Sequence, residues 1–199
     1  MTSPHPVFLV HGIWDTGLSM SQVKKTLLRS GWDRVHAIDF QPNDGGAPLK
    51  ELAEQLDAFV SAHAPEGHFD VVGFSMGGLV TRVWLSLIAS HQRCHTFISI
   101  SAPHHGTLWG RFARRKAGVR DMHPRSPLMI ELGQSTPKAS NIYSYRTPFD
   151  LLIVPSTSSV LPNAIDRVFR VPMHRQMIRS SLVLNSIVDD LRAGSDIAF

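Results

Sequence analysis

Short apolar segments alternate with amphipathic ones along most of the chain, and this alternation restricts its fold more than any other feature. The segments 6–12 and 69–74, PVFLVHG and FDVVGF, are continuous apolar runs typical of strands buried on both faces. Strands alternating with helices imply right-handed crossovers and a parallel sheet covered on both faces. The predicted strands are 6–12, 33–40, 69–74, 94–101, 141–147 and 166–172, and the predicted helices are 16–31, 48–63, 76–91 and 174–192.

The composition is that of a folded globular domain. The 199 residues are 43% hydrophobic and 18% charged, which excludes a disordered or collagen-like chain. The single cysteine, Cys94, excludes a disulfide framework and a zinc site with several cysteines. No apolar run approaches the roughly 20 residues that span a membrane, and the N-terminus has no secretory pattern, so we expect a cytoplasmic protein.

Residues 102–140 interrupt the alternation with four prolines. We therefore expect one α/β domain over 1–199, in which 108–140 form a small cap, either a mobile lid or a fixed wall. Residues 111–120 carry five basic and no acidic side chains within a net charge of +4. This cluster is either a solvated face or a contact for an acidic substrate or a membrane surface. No nucleic-acid motif accompanies it, so we expect no nucleic-acid partner.

The segment 73–78, GFSMGG, contains the pattern G-x-S-x-G between a predicted strand and a predicted helix. In that context a sharp turn holds the serine in a strained conformation, and small neighbours avoid clashes. The hydroxyl of Ser75 then projects above the carboxyl ends of the strands, where open α/β sheets bind ligands. Ser75 is accordingly the predicted nucleophile, and an idle serine in a glycine-rich turn is the alternative.

A serine nucleophile needs a base, and the base needs an acid that orients it. In folds with this turn the order along the chain is serine, acid, histidine. His174 follows every candidate acid and is the predicted base. Asp150 lies in a loop just beyond the strand 141–147 and is the preferred acid, with Asp166 as its rival. If 149–156 were the strand instead, no acid would follow at its end.

The reaction also needs hydrogen-bond donors for the developing oxyanion. The sequence HGIWD, 11–15, follows the first strand, and its turn can aim the backbone N–H of Ile13 into the site. Met76, directly after Ser75, is the second predicted donor. His11 is interpreted as a structural residue of this loop. Trp14 and Phe74 are the predicted substrate-binding residues, although Trp14 can equally belong to the core.

Two adjacent histidines, His104 and His105, follow the fourth strand. No carboxylate or third histidine lies at metal-ligand spacing from them. We therefore interpret them as part of a loop near the nucleophile and expect neither a metal nor a cofactor.

Together the motifs HGIWD, GFSMGGLVTR, SISAPHHGT and Asp150…His174 resemble those of α/β-hydrolase-fold lipases and esterases, particularly compact bacterial lipases. The similarity covers about residues 6–192. It implies an α/β-hydrolase fold with a mostly parallel sheet of about six strands, because the chain begins at the family's third customary strand. Phe74 replaces a frequent histidine, and Met173 replaces a usual glycine; both departures bear on substrate preference.

The predicted function is hydrolysis of a small-molecule carboxylic ester through an acyl-enzyme. Acyl transfer to an alcohol and cleavage of a thioester are alternatives that use the same triad. A catalytically silent hydrolase fold that serves as an interaction module is a third. Contact with a lipid surface is compatible with the basic cluster, and the sequence does not indicate an oligomeric state.

Overall fold

The computed structural model describes residues 5–89, 92–108 and 115–194. Its centre is a six-stranded sheet in the order β2-β1-β3-β4-β5-β6, and all five strand pairs are parallel. The predicted α/β-hydrolase fold is confirmed. The strands are β1 Val7–Val10, β2 Val35–Ala37, β3 Phe69–Phe74, β4 Cys94–Ile100, β5 Ala139–Arg146 and β6 Ile165–Val168.

Several strands are shorter than predicted. The strand 6–12 ends at Val10 because His11 and Gly12 turn away from the sheet. The strand 166–172 ends at Val168. The rival placement of a strand at 149–156 is wrong, since that segment is a loop after β5.

Helices cover both faces of the sheet, and several are more broken than predicted. The helix predicted at 16–31 divides into a 3-10 turn, Gly17–Met20, and a helix proper. The helix predicted at 76–91 ends in a π-helical turn, Trp84–Ile88, and positions 90–91 lie outside the described residues. The helices are α1 Ser21–Arg29, α2 Leu49–His63, α3 Met76–Val83, α4 Ala117–Asp121, α5 Pro127–Gly133 and α6 Ser181–Gly194.

The central strands are continuously apolar because helices cover both faces of the sheet. Phe8 and Val10 pack into the layer formed with α2 and α3, whereas Val7 and Leu9 pack into the layer formed with α1 and α6. Successive side chains of a strand point to opposite faces, so a strand covered on both faces needs apolar residues at every position.

The described part of the predicted cap, 115–140, is tied to the body of the domain. Asp121 accepts a hydrogen bond from the N–H of Leu49 at 2.9 Å, and Leu132 is fully buried in the core. The guanidinium of buried Arg82 donates to the carbonyl oxygens of His104 and Leu132 at 2.5 and 2.7 Å. Motion of a lid stays a prediction, and residues 111–114 of the basic cluster lie outside the described residues.

Among the helices of the described residues, none has the length and apolar character needed to cross a bilayer.

Helix α3 lies unusually close to strand β4, and glycine permits the approach. A Cβ on Gly78 would lie 2.7 Å from the Cβ of Ala102 and 2.8 Å from Oγ of Ser99. We expect Gly78→Ala to lower the free energy of unfolding by about 1–3 kcal/mol, the usual range for overpacking. Urea denaturation measures this.

Gly133→Ala is the matched control, because a Cβ at Gly133 in α5 would meet no atom within 4 Å. It should unfold at the same or a slightly higher urea concentration than the wild type, since alanine also favours the helix. Equal stabilities of the two variants would contradict the close packing of α3.

Candidate active site

The predicted nucleophile lies at a sharp turn between β3 and α3. Ser75 has φ 55° and ψ −126°, a conformation that costs a non-glycine residue about 1–3 kcal/mol. Its N–H donates to the carbonyl oxygen of Ile100 at 2.8 Å, which ties the turn to β4. A Cβ on Gly77 would lie 2.5 Å from the carbonyl oxygen of Val10, so only glycine lets the turn approach β1.

The predicted acid and base lie in direct contact. Nδ1 of His174 is 2.7 Å from Oδ2 of Asp150, and both side chains are buried. The other oxygen of Asp150 accepts the N–H groups of Leu152 and Ile153, each at 2.9 Å. The acid loop thus fixes its own carboxylate, and the carboxylate fixes the imidazole.

These hydrogen bonds determine the ionisation of Asp150. Burial by itself raises the pKa of the carboxyl group, but the hydrogen bond and charge of His174 and the N–H groups of Ile153 and Leu152 outweigh it. The pKa of Asp150 therefore lies below its usual value, and the group is ionised at neutral pH. An ionised Asp150 holds the proton on Nδ1 of His174 and leaves Nε2 as the basic nitrogen.

The imidazole lies beside the turn of Ser75. The ring of His174 packs against the ring of Phe74, which directly precedes Ser75, with 4.8 Å between the centroids. The hydrogen bonds of the described residues do not include one between His174 and Ser75. In hydrolases of this kind such a bond is often long without substrate and shortens when the substrate binds.

Met173, directly before the base, has φ 68°. This is the left-handed region that glycine adopts without penalty, which accounts for the glycine usual at this position. The conformation turns the chain into the short 3-10 segment His174–Ile178, so the helix predicted to begin at 174 begins at Ser181 instead.

The predicted oxyanion loop, residues 11–15 and called the oxyanion loop below, lies against the predicted nucleophile. A Cβ on Gly12 would be only 3.1 Å from Cβ of Ser75. Within the turns and loops that the structure describes, the N–H of Ile13 donates no hydrogen bond, and the N–H of Met76 belongs to the first turn of α3. N–H groups of a first helical turn have no partner inside the helix. Among the described residues, neither predicted donor therefore has its N–H group bonded to an acceptor within the chain, so both groups can bind an oxyanion.

Asn43 holds the oxyanion loop, and sequence reasoning missed it. Its side-chain NH2 group donates to the carbonyl oxygens of Gly12 at 3.1 Å and Asp15 at 2.5 Å, and its main-chain carbonyl oxygen accepts the N–H of Trp14 at 2.9 Å. His11 is buried as expected of a structural residue: Nε2 accepts the N–H of Phe40 at 3.2 Å, and Nδ1 donates to Gly12. Burial lowers the pKa of His11, consistent with this neutral form.

The histidine loop and the oxyanion loop are joined to each other. Arg175, one residue after the base, forms an ion pair with Asp15, whose carboxylate is mostly buried. The loop that carries His174 therefore contacts the loop that carries Ile13.

The remaining predicted residues lie at or beside this edge of the sheet. Trp14 is 74% exposed on the oxyanion loop, whereas Phe74 is buried beneath His174. His104 is buried, with Nε2 2.7 Å from Oγ of Ser99. Asp166, the rival acid, instead pairs with Arg146 at 2.8 Å at the surface of β5 and β6.

A separate cavity of about 560 Å³ lies on the predicted cap, lined by Arg120, His123 and Arg125 among others. It contains none of the predicted catalytic residues, so its position does not indicate the acyl-binding site.

Residues 6–136 match the family model described as palmitoyl protein thioesterase. No functionally curated protein matches the chain.

Solved structures with similar folds include bacterial and fungal proteins. The mature form of the Bacillus licheniformis lipase BlEst2 is 15% identical with a TM-score of 0.71, covering 95% of this chain and 92% of its own. The ydeN gene product of B. subtilis is 12% identical with a TM-score of 0.71, covering 95% and 99%. Aspergillus fumigatus lipase B is 18% identical with a TM-score of 0.76, covering 94% and 52%.

The lowered pKa of Asp150 predicts how the stability of the fold depends on pH. The ionised carboxylate stabilises the folded chain above the unfolded pKa of about 3.9, and this contribution is lost as the pH falls through the lower native pKa. We expect the wild type to unfold at a higher urea concentration than Asp150→Asn at neutral pH, and the difference to shrink below about pH 4.

Asp189→Asn, which removes an exposed carboxylate from α6, is the control. A difference between wild type and Asp150→Asn that stays constant down to about pH 2 would contradict the ionised pair.

Proposed function

The chain belongs to the palmitoyl protein thioesterase family, and from this premise we propose that it hydrolyses carboxylic esters through an acyl-enzyme formed on Ser75. One observation carries the proposal: Asp150 holds Nδ1 of His174 at 2.7 Å on a ring that packs against the residue preceding Ser75. The strained turn of Ser75 is the second support, because it holds the half-buried serine at the carboxyl end of β3, beside the histidine.

In the first half of the reaction, Oγ of Ser75 attacks the ester carbonyl while Nε2 of His174 takes the hydroxyl proton. Asp150 stays ionised and stabilises the resulting imidazolium. The N–H groups of Ile13 and Met76 donate to the oxyanion of the tetrahedral intermediate. His174 then gives the proton to the departing alcohol, and the acyl group remains on Ser75.

In the second half, water attacks the acyl-enzyme. Nε2 of His174 takes a proton from the water as it adds to the carbonyl, and the same two N–H groups bind the new oxyanion. Collapse of the intermediate returns the proton to Ser75 and releases the carboxylic acid. All these steps use side chains and backbone groups, and none requires a cofactor.

Exposed apolar side chains near the proposed site residues in the sequence support an acyl substrate and contact with lipid. Six large apolar side chains are exposed within four positions, along the sequence, of a proposed catalytic or oxyanion-hole residue: Trp14, Phe149, Leu151, Leu152, Val154 and Met173. Exposed apolar side chains that cluster on one face mark binding surfaces. Trp14 is thus proposed to contact the acyl chain, and for buried Phe74 direct contact with substrate stays a prediction.

Thioester cleavage is the second candidate, and the family match favours it. The triad and the two donors act identically on an oxygen ester and a thioester, because both reactions pass through the same kind of oxyanion. A cytoplasmic location stays a prediction.

Replacing the proposed nucleophile and acid tests the mechanism. We expect Ser75→Ala to fold and to lose hydrolysis of p-nitrophenyl esters. Asp150→Asn should lower kcat about 10⁴-fold, because the amide favours the wrong tautomer of His174. Steady-state kinetics on purified variants measures both effects.

Asp166→Asn is the matched control, since Asp166 is the rival acid and lies in the surface pair with Arg146. It should hydrolyse esters at the wild-type rate. Activity retained by Asp150→Asn and lost by Asp166→Asn would reverse the assignment of the acid.

Labelling with a serine-directed phosphonate distinguishes an active serine hydrolase from a catalytically silent interaction module. We expect one adduct, located on Ser75 by peptide mapping and absent from Ser75→Ala. Rates on an oxygen ester and a thioester of the same acyl chain, with and without a competing alcohol, then distinguish the two hydrolases from an acyltransferase. Absence of any adduct would favour the silent module.

A further inference from the structure

Three histidines and a buried aspartate meet at the end of the sheet opposite Ser75. His5 precedes β1, Asp70 is the second residue of β3 and His95 is the second residue of β4, so neighbouring strands bring them together. The carbonyl oxygen of Pro6 accepts the N–H of Asp70 at 2.9 Å, which fixes His5 beside the carboxylate. The third imidazole, His68, has its ring centroid 5.6 Å from that of His5 and 6.2 Å from that of His95.

The ligand atoms of His5, Asp70 and His95 all lie within 4.8 Å of one another. Nδ1 of His5 is 3.9 Å from Oδ2 of Asp70, and Nδ1 of His95 is 3.8 Å from Oδ1. Ligand atoms on one tetrahedral zinc ion, each about 2.0–2.2 Å from the metal, are roughly 3.3 Å apart. Side-chain shifts that shorten these separations by up to about 1.5 Å would therefore bring the three groups into coordination.

Only one of the two oxygens of the buried Asp70 carboxylate accepts a hydrogen bond from the described residues. It is completely buried, and Oδ1 accepts the N–H of Thr96 at 2.9 Å, but among the described residues Oδ2 has no hydrogen-bond donor. A buried carboxylate without full pairing is costly, and a bound cation removes that cost.

The imidazole of His68 is held beside this cluster. Its Nδ1 lies 3.3 Å from the carbonyl oxygen of Arg93, a contact that orients the ring and leaves Nε2 as its ligand atom.

We propose that His5, Asp70 and His95 bind a divalent transition-metal ion of the zinc type, with His68 or water as the fourth ligand. The ion joins the amino ends of β1, β3 and β4 and is structural. Five residues of extended strand, about 16 Å, separate Asp70 from Ser75, so the ion takes no part in ester hydrolysis. The site departs from the expectation of no metal, which was based on His104 and His105.

Metal binding is tested on the untagged, EDTA-treated protein, because a histidine tag would itself bind zinc. Titration with Zn²⁺ against a chromophoric chelator should show one equivalent bound, and Co²⁺ should give the visible absorption of a tetrahedral site. The variants His95→Gln and Asp70→Asn should each weaken Zn²⁺ binding at least ~10-fold. Zinc should raise the Tm of the wild type and leave that of His95→Gln unchanged.

His63→Gln is the matched control, because His63 forms a histidine pair with His36, 4.8 Å between ring centroids, elsewhere on the surface. Its zinc affinity should equal that of the wild type. Equal affinities of His95→Gln and His63→Gln, or no binding by the wild type, would overturn the proposal. If Asp70→Asn fails to fold, the zinc affinity of His95→Gln still tests the proposal, because His95 is partly exposed and its replacement is tolerated more easily. Ester hydrolysis by the EDTA-treated enzyme is measured separately and should be unchanged.

Discussion

The close approach of helix α3 to strands β1, β3 and β4 is the constraint on which the candidate site depends. A Cβ on Gly73 would lie 2.7 Å from Cα of Gly78, and glycines at 77 and 78 are equally confined. These contacts hold the helix where its first turn meets the ends of two strands, and Ser75 must then accept a positive φ. The strain at the serine is thus imposed by backbone packing on both sides of it.

The loops around Ser75 are fixed largely by one another. Asn43 holds the oxyanion loop, and Thr107, in the loop after β4, donates to the carbonyl oxygen of Leu152 in the acid loop at 2.8 Å. Ser158, further along the acid loop, donates to the carbonyl oxygen of Gly106 at 2.5 Å. Polar bonds between loops keep their buried backbone groups paired without extending the sheet. The sheet therefore provides a common edge, and these bonds define the shape of the site above it.

Much of the architecture was predictable because it is encoded locally. Apolar runs such as 69–74 identify buried strands, and G-x-S-x-G after a strand identifies a sharp turn. Asp150 and His174 were selected by their order along the chain, and the structure brings them within 2.7 Å. The contacts of Asn43 and Arg82 were not predictable, since each bonds to backbone atoms distant in sequence. The cluster of His5, Asp70 and His95 was missed for the same reason: spacings of 65 and 25 residues match no ligand motif, and only the register of three strands unites them.

The ion pair between Asp15 and Arg175 means that the oxyanion loop and the histidine loop cannot be changed independently of each other. A residue exchanged in one loop to admit a different acyl group alters the support of the other, so paired substitutions will show coupled rather than additive effects. Altering the selectivity of this scaffold by laboratory evolution would accordingly require concerted changes on both sides of the pair, and libraries confined to a single loop would sample mostly compromised combinations.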